Sequence, residues 1–133
     1  MTMHEPADAP YWDGLASGEL RLPRCSGCQS WRWPAGHRCG GCGANGLDWA
    51  QHPMAATVYS WTRTWHRFGF TQSLDLPYIS VVAQLTGSGV RLMGRMDDPD
   101  IVDPYIGQSL IGRIGTTILA DRALPTIIWS RTA

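Results

Sequence analysis

The sequence predicts a mainly β protein: a short N-terminal helix and a four-cysteine zinc ribbon, followed by a five-stranded barrel of the OB type. Three observations predict it. All four cysteines, Cys25, Cys28, Cys39 and Cys42, fall in two Cys-x-x-Cys pairs ten residues apart, the spacing of a tetrahedral S4 metal site. The segment around them, Leu20 to Trp49, is dense in Gly and Pro and too poor in aliphatic residues for its own core, so metal must supply its order. From Ala56 onward the texture changes to short β-branched and aromatic runs separated by turn residues. The expected segments are 1–19 for a tail and short docking helix, 20–50 for the ribbon and 51–133 for the barrel.

Residues Met1 to Asp8 are polar and read as a loose tail. Pro10 to Gly18 reads as a helix, with Asp8 as cap, Pro10 in the first turn and Gly18 as the stop. Tyr11, Trp12 and Leu15 share one face. So short a helix does not persist alone, and that face must dock on the chain's own body or on a partner. In the ribbon, Gly27, Gly40, Gly41 and Gly43 lie close to the sulfurs and permit the positive φ of a tight thiolate turn. Trp31 and Trp33 are expected on a hairpin between the cysteine pairs, ended by Pro34. His37 reads as a spacer beside four available thiolates.

In the barrel, Thr57 to Trp65 is the first strand, and alternation places Tyr59, Trp61, Arg63, Trp65 and Arg67 on one face. Pro77 to Leu85 is the second, and Gly87-Ser-Gly89 turns it into a third, Val90 to Met96. The run Asp97-Asp-Pro-Asp100 breaks that strand, and Ile101 to Ile106 forms a turn. Gly107 to Ile114 is the fourth strand, Thr116 to Ala120 a short piece of the same hairpin, and Pro125 to Arg131 the last strand. Five short strands with a broken connection between the third and fourth suit a Greek-key barrel better than a sandwich.

Composition narrows the function. The 133 residues carry 11 basic and 11 acidic groups, every basic one an arginine, so no long-range field draws polyanions and nucleic acid is disfavoured as a partner. Charged residues make up only 17% while tryptophans number seven, which fits either a Trp-rich core or a surface covered by another protein. No stretch approaches a membrane span and no export leader opens the chain, so the expected location is the cytoplasm, where paired cysteines read as metal ligands rather than disulfides.

Four thiolates leave no open coordination position, which makes the metal structural: Zn2+, with iron fitting the same ligands. No catalytic residue is assigned. All cysteines are committed to metal, and His52 and His66 have no evident Ser or Cys partner. No phosphate loop occurs, and the acids Asp97, Asp98, Asp100 and Asp103 read as a solvated turn around Pro99 and Pro104. The stripe Trp61, Arg63, Trp65 and Arg67 suits single-stranded nucleic acid, the adenine and phosphates of coenzyme A, or a protein partner; alternatively its rings pack on the ribbon.

Several segments together resemble the DUF35 family of zinc-ribbon plus OB-fold proteins. These are Tyr11-Trp12-Asp13-Gly14-Leu15 with Gly18-Glu19-Leu20, the two cysteine pairs with Trp33-Pro34 between them, Leu47-Asp48-Trp49, Thr57 to Thr62 with His66-Arg67, Pro77-Tyr78-Ile79, and Gly107 to Leu110. Ala35 stands where the family often has a second proline, which touches no ligand. The resemblance implies a rubredoxin-like ribbon with Cys25, Cys28, Cys39 and Cys42 on zinc. It also implies a small non-catalytic accessory subunit of a thiolase-like acyl-CoA enzyme: a thiolase, acyltransferase or retro-aldolase acting in steroid side-chain or aromatic degradation. On that reading Tyr11, Trp12, Trp33, Trp61, Arg63, Trp65 and Arg67 are candidate contacts to the partner or to acyl-CoA, in a hetero-oligomer. The alternatives are a single-stranded nucleic-acid binder and a stand-alone acyl-CoA binder.

Overall fold

An eight-residue helix, α1 (Ala9–Ala16), forms where Pro10 presets the first turn. Its end is a Schellman motif. Gly18, at φ 89°, donates to the Leu15 carbonyl at 3.1 Å, and Glu19 donates to that of Gly14 at 2.8 Å. The Asp8 side chain makes no cap bond; its carboxylate instead accepts the Trp12 indole N–H at 3.2 Å. In this computed structural model residues 6–97 and 102–132 are described. The expectations for the first five residues, for the run Asp98 to Asp100 and for the start of the turn at Ile101 lie outside them. Among the described residues no helix is long and apolar enough to cross a membrane.

The chain divides into two units, Met1–Pro53 and Met54–Ala133. In the first, β1 (Arg21–Cys25) pairs antiparallel with β2 (Leu47–Gln51), from Arg21 opposite Gln51 to Cys25 opposite Leu47. Leu20, Leu22 and Cys25 are buried, as are Tyr11 and Leu15 of α1. The helix face thus docks on the chain's own body, and Trp12 stays 40% exposed. Trp31 and Trp33 do not form a hairpin of their own: Trp31 makes one isolated bridge to Arg24.

The second unit is a closed five-stranded barrel of β3 (Ala55–Thr64), β4 (Tyr78–Leu85), β5 (Arg91–Met96), β6 (Ser109–Leu119) and β7 (Arg122–Arg131). Around the barrel the order is β3-β4-β5-β7-β6, with β6 closing onto the start of β3. All pairs are antiparallel except β5 with β7, where Arg95 lies opposite Ile128 and Met96 opposite Trp129. One parallel contact in a five-stranded Greek key is the OB arrangement. The β4–β5 turn uses Gly87 and Gly89 at φ 96° and 74°. The β6–β7 turn is two residues, Ala120 and Asp121, both at positive φ between the pair Leu119 and Arg122. So β6 continues unbroken through Thr116, where the sequence suggested two pieces.

β3 contains the main departure from simple alternation. Val58 lies opposite Ala83, but Ser60 lies opposite Val82, so Tyr59 is an extra residue in a bulge. The bulge reverses the parity of everything after it. Ala56 and Val58 face the interior with Leu85 and Ala83; beyond the bulge Trp61 and Arg63 take that side, opposite Val81 and Ile79. Tyr59 is left outside, where the Arg91 guanidinium lies 3.7 Å from its ring centre.

Candidate metal centre

The two Cys-x-x-Cys pairs fold as near copies. In the first, Gln29 donates to the Cys25 carbonyl and Cys25 to that of Ser30; in the second, Gly43 donates to Cys39 and Cys39 to Ala44, all at 2.9 Å. Both turns need a left-handed residue just after the second cysteine, and Gln29 (φ 65°) and Gly43 (φ 78°) supply it. The positive φ therefore lies one step outside the pairs, not at Gly27, Gly40 or Gly41. Gly27 serves space instead, since a Cβ there would come 3.3 Å from the Ala44 Cβ.

This geometry gathers the ligand set. The four sulfurs lie within 4.8 Å of one another, with Cys25 and Cys39 buried and Cys28 and Cys42 exposed. Among the described residues they are the one group of metal-ligating side chains so clustered, and His37 is not part of it. Donors point at the sulfurs. Cys25 Sγ accepts the N–H groups of Gly27 and Cys28 at 3.3 and 3.4 Å, and Cys39 Sγ accepts that of Gly41 at 3.4 Å. Two further groups had no local signal in the sequence: the Ser30 hydroxyl lies 2.9 Å from Cys28 Sγ, and Arg32 Nε donates to Cys39 Sγ at 3.1 Å.

The electrostatics call for a cation. The Ser30 side chain and then its backbone hold the Cys28 thiol down to about 5, and the Cys42 and Gly41 N–H groups hold Cys39 down to about 7. For Cys42 the Ala44 N–H acts downward, but the Cys25 sulfur, burial, and then the Cys28 and Cys39 sulfurs together outweigh it and raise the thiol to about 11. Four protons do not leave such a cluster together without a positive charge at its centre. A divalent, sulfur-seeking ion of tetrahedral habit fits this donor set, and with every position filled by protein it acts as a clamp, not a Lewis acid.

The remaining candidate residues fall into three groups. Tyr11 and Trp33 pack together with ring centres 4.8 Å apart, and Trp12 stands edge-on to Tyr11 at 5.1 Å. Burial, then the Asp8 carboxylate, raises the Tyr11 phenol from 10.0 to about 12. Its folded value exceeds its unfolded one, so its contribution is intact below pH 10.0 and is lost as pH rises towards 12. A Tyr11→Phe variant is therefore expected to lose less stability than the native chain between those limits in alkaline denaturation curves.

Trp61 and Arg63 belong to the barrel interior side, and Arg63 forms an ion pair with Asp103. Trp65 and Arg67 lie beyond the end of β3, so the five-residue stripe does not exist as one face. Trp65 is 68% exposed, with the Arg63 guanidinium 5.8 Å from its ring centre. Arg67 Nη1 donates to the carbonyls of Gln72 and Leu74 at 2.6 and 3.3 Å, pinning its own loop. Phe68 and Phe70, which the sequence reading passed over, are exposed on that loop with stacked rings 5.9 Å apart. A 3₁₀ turn, Gly69–Thr71, holds them, and Ala120 of the β6–β7 turn donates to the Phe70 carbonyl at 2.9 Å. Beside the loop, a cleft of about 450 Å³ is lined by Ser73 to Ile79 and by Arg95 to Asp97.

Fold and cysteine cluster together define a zinc-ribbon/OB-barrel protein. Residues 12–48 match the family model described as the ChsH2 rubredoxin-like zinc ribbon domain, so the N-terminal unit is a rubredoxin-like ribbon built for a structural zinc. The whole chain shares its fold with solved DUF35 proteins. A chain of a structure described as the Ltp2-ChsH2(DUF35) aldolase superposes at TM-score 0.80 and 22% identity, covering 100% of both chains. A DUF35-family protein of unknown function from Sulfolobus solfataricus superposes at 0.63 and 16% identity, covering 96% of this chain and 86% of that one. No curated protein matches in sequence.

Proposed function

We propose that this protein is the non-catalytic accessory subunit of a thiolase-like acyl-CoA enzyme, of the thiolase, acyltransferase or retro-aldolase type. The observation that carries the reading is the end-to-end likeness to a chain of an aldolase at TM-score 0.80. The cysteine chemistry agrees with it, since all four thiols of the chain are taken up by the clamp. In this reading the helix and ribbon dock the partner, with Trp12 as their exposed aromatic contact, while Tyr11 and Trp33 hold the helix in place. The barrel helps shape access of the acyl-CoA. Trp65 makes the contact there, Arg67 fixes its loop, and Trp61 with Arg63 supports the strand that carries it. Exposed tryptophans on pinned segments suit interface anchors, because little conformational freedom is lost on binding.

The test is co-expression with a thiolase-like protein of the same organism. Co-elution, with thioester turnover that requires both chains, is the expected result. Separate elution, with the other protein soluble and fully active by itself, rejects the accessory role. Calorimetry with coenzyme A and with a single-stranded oligonucleotide on the isolated chain separates the two rivals. The proposal expects little heat from either; binding of coenzyme A identifies a stand-alone acyl-CoA binder, and salt-sensitive binding of the oligonucleotide a nucleic-acid protein.

A further inference from the structure

We infer that Arg32 is the built-in counter-ion of the metal–thiolate cluster, seated by Gly41, and that it governs how tightly the metal is retained. Four thiolates around a divalent ion leave two surplus negative charges, and this charge sits at an edge where Cys28 and Cys42 are exposed. Backbone N–H groups answer part of it through partial charges. Among the described residues Arg32 is the full positive charge that donates a hydrogen bond to a sulfur: Nε reaches Cys39 Sγ at 3.1 Å.

The seat is specific. A Cβ built on Gly41 would overlap Arg32 Nη2 and fall 2.9 Å from its Cζ, so any side chain there displaces the guanidinium. Gly40, one residue away, has open space around the same position. Neither glycine adopts positive φ, so alanine suits the backbone at both. The two adjacent glycines thus differ in what a side chain would meet, because Gly41 makes room for an arginine; the Gly41 N–H bond to Cys39 Sγ is one that alanine keeps. Arg32 itself is held by its N–H, which donates to the Pro23 carbonyl of β1 at 2.9 Å.

Arg32 is a positioning residue for the clamp and touches no substrate. Loss of a hydrogen-bonding partner one layer outside the ligands commonly weakens metal binding 10–100-fold. The zinc-loaded full chain should therefore lose metal to a competing chromogenic chelator about 10–100-fold more readily as Arg32→Gln. Gly41→Ala, which keeps the arginine but blocks its seat, should behave alike; Gly40→Ala should behave as the native chain. Arg32→Lys should fall between, because an ammonium supplies charge without the planar fork. With cobalt in the site, Arg32→Gln and Gly41→Ala should shift the thiolate-to-metal absorption bands, and Gly40→Ala should leave them in place. Native metal retention and unshifted bands in both Arg32→Gln and Gly41→Ala would overturn the assignment, as would equal loss in Gly40→Ala. Should Arg32→Gln fail to fold, the Gly41→Ala and Gly40→Ala pair still decides.

Discussion

Removing the metal, by chelation or by Cys25→Ser or Cys39→Ser, is expected to unfold the N-terminal unit while the barrel stays folded. The buried apolar side chains of that unit are few, chiefly Tyr11, Leu15, Leu20 and Leu22. Each contributes about 1.5–3 kcal/mol by burial, whereas ordering the backbone costs about 1–2 kcal/mol for every residue fixed. Those four cannot offset the cost of ordering both loops and strands. A structural zinc contributes about 10–16 kcal/mol of apparent folding energy, which is the scale of the shortfall. The measurement is amide exchange with and without chelator. Protection should vanish at Cys25, Gln29, Cys39 and Gly43, whose N–H groups hold the two turns, and persist along β4 and β5. A ribbon that keeps its protection without metal would show that packing alone orders it. Loss of one ligand should match complete chelation, since three sulfurs no longer close the tetrahedron.

The clamp was legible because its signal is local: two short spacings place four ligands whatever the rest of the chain does. The β4–β5 hairpin was legible for the same reason, with Gly87 and Gly89 marking the reversal. What escaped the sequence reading depends on pairs distant along the chain or on residues of the wrong type for their conformation. The strands β1 and β2 are short, and Pro23 inside β1 argues against a strand, yet a two-stranded ribbon tolerates it. The β6–β7 turn puts Ala120 and Asp121 at positive φ, where a two-residue hairpin ordinarily has Asn-Gly or Asp-Gly, so one long strand read as two. The bulge at Tyr59 left no mark in the alternation, which runs on unchanged while the structure reverses faces. That extra residue takes Tyr59 off the face that Trp61 and Arg63 share, the strand ends before Trp65 and Arg67, and with the five-residue stripe goes the main argument for stacked nucleobases on β3. The Arg32 seat is likewise a tertiary fact: nothing within the sequence from Arg32 to Gly41 announces that the two meet.

The barrel's stability should hang on Trp129 more than on any other side chain. It is 0% exposed, lies opposite Gly112 on β6 and Met96 on β5, and sits in a slot kept open by two glycines. A Cβ at Gly94 would come 2.9 Å from its indole Cδ1 and Nε1, and one at Gly112 would come 2.9 Å from Cζ3. Trp129→Ala leaves a cavity across three strands and is expected to cost about 3–5 kcal/mol. Gly94→Val or Gly112→Val drives branched carbons into the ring and should cost at least about 1–3 kcal/mol by overpacking. Trp129→Phe distinguishes volume from polarity. Among the described residues the indole N–H has no hydrogen-bond partner, a standing cost of about 1–3 kcal/mol that phenylalanine removes. The loss of ring volume then partly cancels against that gain, so Trp129→Phe should retain most of the native stability. Denaturant unfolding followed through the β4 and β5 amides measures all four variants. An alanine as well tolerated as the phenylalanine would mean that the slot closes around the missing ring, and that the barrel is held by its strand ladders instead of by its centre.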